Sequence, residues 1–527
     1  MAPAKKRQSK GKQKNGKAKA KAFGLPFEIT AAILALLDFR DILMCQRVSK
    51  DFNQVIRESV QLQYTIELGV ANYVDGPAEA KLAVGDRLKL LKQSQETWKD
   101  FDFKLKKLIE PGKAVNQWAF CGGVLVLTYL DDNTQTTNRN YQYFDNIMVC
   151  YVRSGGPEPE FETCCFDETF TDFAMDPSQD LIVLWDRSSV SDEDGLSISF
   201  RTLSTLDPHD RAKDGYVDLP FHDPGGGESV QIFGDLVVAI GFMSSKIILM
   251  DWTTGAKRTL SGCFTGGCLL SDSCLVVAKM VAEKKDLCLD VYAIKRTKKH
   301  ALTLTLAAHF ELPALREQMV CDISFASFGS SASSGIPASD GEPDPARPFS
   351  TSPIPSMVLL KLRVDHEYGH WLPGNYAVFA ETILFLSVVG DVLSHRKRKP
   401  TTFSWEEWGP DSTWWFDGNT VGSDTEWKEA RWKDAMHGFR VMLPDSILDF
   451  NVVDIMRSLA ELSAEDEDSD AEFMYETDWH TTIKKGTVAP DSDTYFVKKV
   501  RTYAPYRRTE LSETSLSESY YFYMLDE

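Results

Sequence analysis

No apolar run in this sequence approaches the roughly 18 to 20 residues that a membrane-crossing helix needs, and its lysine-rich start lacks the apolar stretch of a secretory signal. Both absences point to an intracellular protein that does not enter a membrane. The ten cysteines, Cys45, Cys121, Cys150, Cys164, Cys165, Cys263, Cys268, Cys274, Cys288 and Cys321, never form a Cys-x-x-Cys with a matching second pair. They read as reduced thiols buried like small hydrophobes. Catalytic signatures are missing too: there is no Gly-x-Ser-x-Gly elbow, no Gly-x-x-x-x-Gly-Lys-Ser/Thr phosphate loop and no Gly-x-Gly-x-x-Gly after a strand. Gly225-Gly226-Gly227 has no helix behind it and reads as a flexible turn.

Basic charge is scarce over most of the chain. The 58 Lys and Arg are outnumbered by 77 Asp and Glu, a formal charge of −19, which disfavours nucleic acid binding because phosphate contacts need clustered cations. Residues 1–22 are the exception, with nine basic side chains and no acidic one, which leaves −28 on the remainder. Such a tail has too little apolar surface to offset the entropy of ordering, so disorder is expected. It reads as a solubilising tail, as a nuclear-import signal around Lys5-Lys6-Arg7, or as a weak nucleic acid contact, and places the protein in cytoplasm, nucleus or both.

With 527 residues, 43% of them hydrophobic, the chain has material for two or more cores. A helical stretch occupies about 23–110. Within it Val84, Leu88, Leu91, Gln95 and Trp98 share one helix face, and Lys81, Lys89, Lys92 and Glu96 take the other. From about 111 to 527 short β-rich runs alternate with Gly, Pro, Asp and Asn. First strands recur at Val124, Leu181, Leu236, Leu275 and Ile383, about 40 to 57 residues apart with one gap near twice that. This period fits four-stranded propeller blades. The expected fold is therefore α+β, a helical start followed by a mainly-β domain, a propeller of about seven blades with six or eight open. A β-sandwich is the competing architecture. Two disordered insertions are expected, the Ser/Pro/Gly-rich residues 324–356 and residues 460–473 around the acidic run 465–472. Ser463 and Ser469 there each precede an acidic residue by three, which suits an acidophilic kinase.

The most specific pattern is Leu25-Pro26-Phe27-Glu28-Ile29, then Ile33-Leu34-Ala35-Leu36-Leu37, Asp41-Ile42-Leu43 and Val48-Ser49-Lys50-Asp51-Phe52. Pro26 suits a first helical turn, Ile29, Ile33 and Leu36 or Leu37 share a face, and Asp41 and Ser49 are placed to cap a second and a third helix. Three short helices in about 35 residues cannot bury all these apolar side chains among themselves. A partner must cover the rest.

These residues resemble the F-box motif. The resemblance implies an F-box over 23–64 and a helical linker over 65–110. It also implies docking onto the Skp adaptor, and through it onto the cullin and RING subunits of an SCF-type ubiquitin ligase. Leu25, Pro26, Ile29, Ile33, Leu34, Leu37, Ile42 and Val48 take the motif's apolar positions, some facing the adaptor and some holding the helices together, two roles the sequence does not separate. A looser resemblance is to basidiomycete F-box proteins, in which a linker with a Leu-Leu…Trp pattern, here Leu88, Leu90, Leu91 and Trp98, precedes a propeller-like region; Ile447-Leu-Asp-Phe-Asn451 resembles a late segment of such chains. The β region departs from repeat patterns, with Leu184-Trp185-Asp186 and Met250-Asp251-Trp252 as faint echoes of Trp-Asp repeats.

One pattern argues for an enzyme. His366-Glu367-Tyr368-Gly369-His370 fits His-Glu-x-x-His, which binds zinc when a helix sets the two histidines one turn apart. Here it follows a strand-like run, contains Gly369 and stops at Pro373. No third ligand is evident, although Glu381, Glu406 and Glu407 lie downstream. It reads as a turn or blade loop, and no metal or cofactor is expected. The cluster of Trp405, Trp408, Trp414, Trp415, Phe416, Trp427 and Trp432 reads as core packing, with a binding surface as the alternative. The expected function is a non-catalytic substrate receptor whose β region binds an unidentified target, basic if charge is a guide. A non-degradative scaffold is the alternative and a zinc hydrolase the remote one.

Overall fold

Four short helices open the described part of the chain: α1 Phe27–Leu34, α2 Phe39–Gln46, α3 Lys50–Glu58 and α4 Val60–Ala71. The computed structural model describes most residues from 25 to 453, with 327–347 and 418–435 the longest gaps, and beyond 453 only 487–488, 501–503 and 522–526. The basic tail and the acidic run 465–472 lie outside the described residues.

Each helix start has a local cause. Ser49 accepts from the Phe52 N–H at 3.1 Å and Ser59 from the Leu62 N–H at 3.4 Å. The cap expected from Asp41 comes instead from Asp38, which accepts from the Arg40 N–H at 2.9 Å. Asp41 sits in the first turn of α2, where a carboxylate still suits the helix dipole. Pro26 stands just ahead of α1, and its carbonyl takes the Thr30 N–H at 3.0 Å. The helices close over Leu34, Ile42, Ile56, Leu62, Ile66 and Val70. The expected step from motif to linker at residue 64 falls inside α4. A fifth helix, α5 Val84–Asp100, packs beside α4, with Leu91 and Trp98 buried and Lys89, Lys92 and Glu96 exposed.

Six larger sheets follow, five of four antiparallel strands and one with a fifth strand added in parallel. Sheet 1 joins Val115–Cys121, Val124–Tyr129, Phe144–Tyr151 and Phe161–Phe170; sheet 2 joins Asp172–Asp176, Leu181–Ser188, Gly195–Thr202 and Tyr216–Leu219. Sheet 3 spans Ser229–Phe233, Leu236–Ile240, Lys246–Asp251 and Lys257–Ser261. Sheet 4 contains Phe264–Ser271, Cys274–Val281, Asp286–Arg296 and Leu302–Glu311, with Thr401–Phe403 added in parallel. Sheet 5 takes Met319–Ala326, Met357–His366, Gly374–Glu381 and Thr413–Asp417, and sheet 6 Met436–His437, Arg440–Met442, Ile447–Asp449 and Arg501–Tyr503. Within each sheet the strands pair in chain order, and in sheets 2 and 3 neighbouring strands follow one another directly. A tight glycine turn, Gly122 and Gly123 with φ of 59° and 82°, joins the first two strands of sheet 1.

The sheets stack face to face, and this explains apolar runs with no polar alternation. Leu181, Val183 and Trp185 pack with sheet 3, whereas the intervening Ile182 and Leu184 pack with sheet 1. Likewise Val237 and Ala239 meet sheet 2, and Leu236, Val238 and Ile240 meet sheet 4. A strand with two covered faces has no solvent side to keep polar. The leading strands of sheets 1 to 5 lie beside one another in order. Ion pairs tie sheets 2, 3 and 4 at one rim, where Asp235 holds Arg211 at 2.8 Å and Arg296 at 3.1 Å. Trp252 is buried there, donating to the Gly234 carbonyl at 3.1 Å and stacking on Phe200, so the Met250-Asp251-Trp252 echo marks an intersheet anchor.

Helices followed by a mainly-β region match the expected α+β class. Among the described residues there are six larger antiparallel sheets, five of four strands and one with a fifth strand added, and no closed ring. The segment Lys104–Ile109, ahead of sheet 1, pairs with Phe522–Asp526 far along the chain. Two expectations are corrected. The run at Ile383 is not a strand but lies in helix α6, Thr382–Ser394, because 13 residues with Thr382, Phe385 and Val389 inward cover sheet 4, and Phe385 meets Phe310 edge-on at 5.2 Å. Parts of the insertion expected over 324–356 are strand, and 327–347 lie outside the described residues. Residues 324–326 finish a strand of sheet 5, and Phe349–Thr351 pairs antiparallel with Tyr73–Asp75, Phe349 stacking on Tyr73 at 5.5 Å.

Candidate functional site

The eight apolar positions of the N-terminal pattern divide cleanly. Leu34 and Ile42 are buried in the helical core. Leu25, Ile29, Ile33, Leu37 and Val48 are exposed at 43%, 49%, 50%, 36% and 69%, and Pro26 is exposed beside them. Phe27, Leu36, Met44 and Val60 in the same segment are exposed as well, and of these Met44 and Val60 carried no mark in the sequence pattern. Of the 15 exposed large hydrophobics among the described residues, nine lie between Leu25 and Val60. Folding alone does not produce such a concentration, because isolated exposed apolar residues are normally scattered.

The face is carried on helices joined firmly to the sheets. Asn451, after the last strand of the motif-like Ile447–Asn451 segment, donates to the Val70 carbonyl at 2.8 Å and so satisfies an end carbonyl of α4. Asn72 ends α4 in the left-handed conformation, φ 57°, and its carbonyl takes the Ser352 N–H at 2.8 Å. Gly438 has φ 60° and lies so near the Ala71 carbonyl that a Cβ there would sit 2.8 Å from it, hence glycine. Arg440, 5% exposed, pairs with the fully buried Asp449 at 3.1 Å, donates twice to Gln95 of α5 and lies over the Trp98 ring. On the other side of α4, Asp75 receives Arg87 at 2.7 Å and the Tyr64 hydroxyl at 2.8 Å. Burial first, and then the Asp75 carboxylate that its hydroxyl donates to, push the Tyr64 phenol well above its ordinary range.

A family model for F-box-like domains matches residues 23–66. Residues 23–66 are an F-box-like domain. The match ends inside α4, which runs on to Ala71. No curated protein matches the chain. Among solved structures, Sqt1 from Chaetomium thermophilum is 11% identical, with 51% of this chain and 69% of that chain covered at a TM-score of 0.25. The same protein bound to the N-terminus of a ribosomal protein gives 10%, 51%, 72% and 0.26. Apo AztD from Citrobacter koseri is also similar, at 10% identity, 50% and 76% coverage and a TM-score of 0.22.

The other candidates fare differently. His366 ends a strand of sheet 5, paired with Met319, rather than starting a helix; Glu367 to His370 lie outside the described residues. Trp405, Trp408, Trp414 and Trp415 are 3% to 5% exposed; Trp405 packs on Trp408 and Trp415, Trp408 on Phe310, and Trp414 on Phe450, so they are core rather than a binding surface. Trp427 and Trp432 lie outside the described residues. The nine described cysteines form no disulfide.

Proposed function

We propose that this protein is a substrate-receptor subunit of an SCF-type ubiquitin ligase. Its F-box face, Leu25, Pro26, Ile29, Ile33, Leu37 and Val48 with Phe27 and Leu36, docks on a Skp adaptor, and the adaptor brings the cullin and RING subunits. Leu34 and Ile42 hold the three helices in register. The observation that carries this reading is the concentration of exposed apolar side chains on the F-box. The β region is the target-binding body, arranged as propeller-like blades; sequential four-stranded sheets with adjoining leading strands support that arrangement. The chain itself forms no bond. It raises the effective concentration of a target lysine near the charged conjugating enzyme, and the joint at Arg440, Asn451 and Asn72 keeps the two parts at a constant distance and angle.

The test is calorimetric titration of the full-length protein with a purified Skp adaptor. Saturable one-to-one binding, lost on changing Ile29 and Ile33 together to Asp, is expected. No binding by folded wild-type protein, or unchanged binding by the double variant, overturns the reading.

A further inference from the structure

Sheet 4 carries a cluster that adaptor docking does not use. Cys288, Asp290 and Tyr292 alternate along one strand and therefore point to one face. Across the sheet, His309 stands opposite Asp290 and Glu311 opposite Cys288. Asp290 is 1% exposed, and three groups converge on its carboxylate: His309 Nδ1 at 2.6 Å, the Tyr292 hydroxyl at 3.4 Å and the Cys288 thiol at 3.6 Å. The thiol, carboxylate and imidazole ligand atoms all lie within 4.8 Å of one another.

We propose that Cys288, Asp290 and His309 form a zinc site that cross-links the adjacent strands Asp286–Arg296 and Leu302–Glu311 of sheet 4. The donor set is one thiolate, one imidazole and one carboxylate, a combination zinc accepts at about 2.0 to 2.3 Å. A tetrahedron with those bonds sets ligand atoms about 3.3 to 3.7 Å apart. The gap from Cys288 to Asp290 already has that size. The shorter one from His309 to Asp290 opens by about 0.7 Å as a hydrogen bond gives way to two metal bonds. Two ligands come from one rigid strand and the third from its hydrogen-bonded neighbour, so little ordering remains to be done on binding. His309 is one-third exposed and gives the ion a path from solvent. Glu311, opposite Cys288, or a water fills the fourth position. On binding, the Cys288 thiol releases its proton to solvent and His309 ligates as the neutral imidazole.

The full-length protein, stripped with chelator and dialysed, is titrated with cobalt(II) as a spectroscopic stand-in and separately with zinc, with bound metal measured by elemental mass spectrometry. One equivalent per chain and a thiolate-to-cobalt charge-transfer absorption are expected. Cys288→Ser should abolish the absorption, and His309→Gln should weaken metal affinity by about tenfold or more. Both substitutions are small, and circular dichroism confirms folding. A Cys274→Ser control and a joint His366→Gln, His370→Gln variant should keep the absorption. Absence of the absorption in folded wild-type protein overturns the proposal. So does its survival in Cys288→Ser or its loss in the His366, His370 variant.

Discussion

Ile42 and Val48 both occupy apolar positions of the F-box pattern, yet their truncation should fail in opposite ways. Ile42 is fully buried among Leu34, Ile56, Leu62 and Ile66. Ile42→Ala leaves a cavity in a core of few side chains, and a loss of about 2 to 5 kcal/mol is expected. Val48 is 69% exposed, so Val48→Ala should change stability by about 0.5 kcal/mol or less. Its two lost methyl groups, at about 0.8 kcal/mol each and about seven-tenths available to a partner, contribute about 1.1 kcal/mol on docking. That corresponds to a roughly sixfold weaker Kd for the adaptor. Hydrogen exchange at the α4 amides reads the first effect, and calorimetric titration with the purified adaptor, well below any unfolding transition, reads the second. The assignment of roles is refuted if Val48→Ala exchanges as fast as Ile42→Ala, or if it binds adaptor with wild-type affinity.

Other expectations follow from the same geometry. Arg440→Met leaves the buried Asp449 carboxylate without its guanidinium, a change expected to cost about 3 to 5 kcal/mol, visible as faster hydrogen exchange in both α5 and the Arg440–Asp449 strands. An unchanged exchange rate in α5 would show that the joint does not run through this side chain. Gly69→Ala drives a methyl into the Phe39 ring, so about 1 to 3 kcal/mol of helical stability should be lost, with thermal melting of far-ultraviolet ellipticity as the readout. Burial holds the Lys361 amine down at about 8. Between pH 8 and the ordinary lysine range the unfolded chain then binds more protons than the folded one, so stability should rise with pH across that window. Urea unfolding at pH 7.5 and 9.5 should show the rise in wild type and a flatter profile in Lys361→Met; equal slopes would discount the burial.

Much of this was legible in the sequence because its causes are local. Helix starts at Ser49 and the hairpin at Gly122-Gly123 depend on side chains within a few residues, and the face of α5 follows from a period of 3.6. Other features were not legible. Ile383 begins a run whose β-branched and aromatic composition suits either element, and only the uncovered flank of sheet 4, with Phe310 waiting for Phe385, makes it helical. The return of Phe349–Thr351 to Tyr73–Asp75 joins positions more than 270 residues apart and leaves no local mark. The cluster at Cys288, Asp290 and His309 hides in the same way, since it exists only through strand register.

By itself the sequence determined that the chain has an apolar, helix-periodic F-box ahead of a long series of short hairpins, because period and turn chemistry are written residue by residue. Tertiary structure alone decided which of the F-box's apolar side chains are interior and which are left for a partner. Leu34 and Leu37 are the same residue type three positions apart, one buried and one exposed. The difference comes from where α3 and α4 lie against α1 and α2, since burial is a property of the packed neighbours and not of the residue.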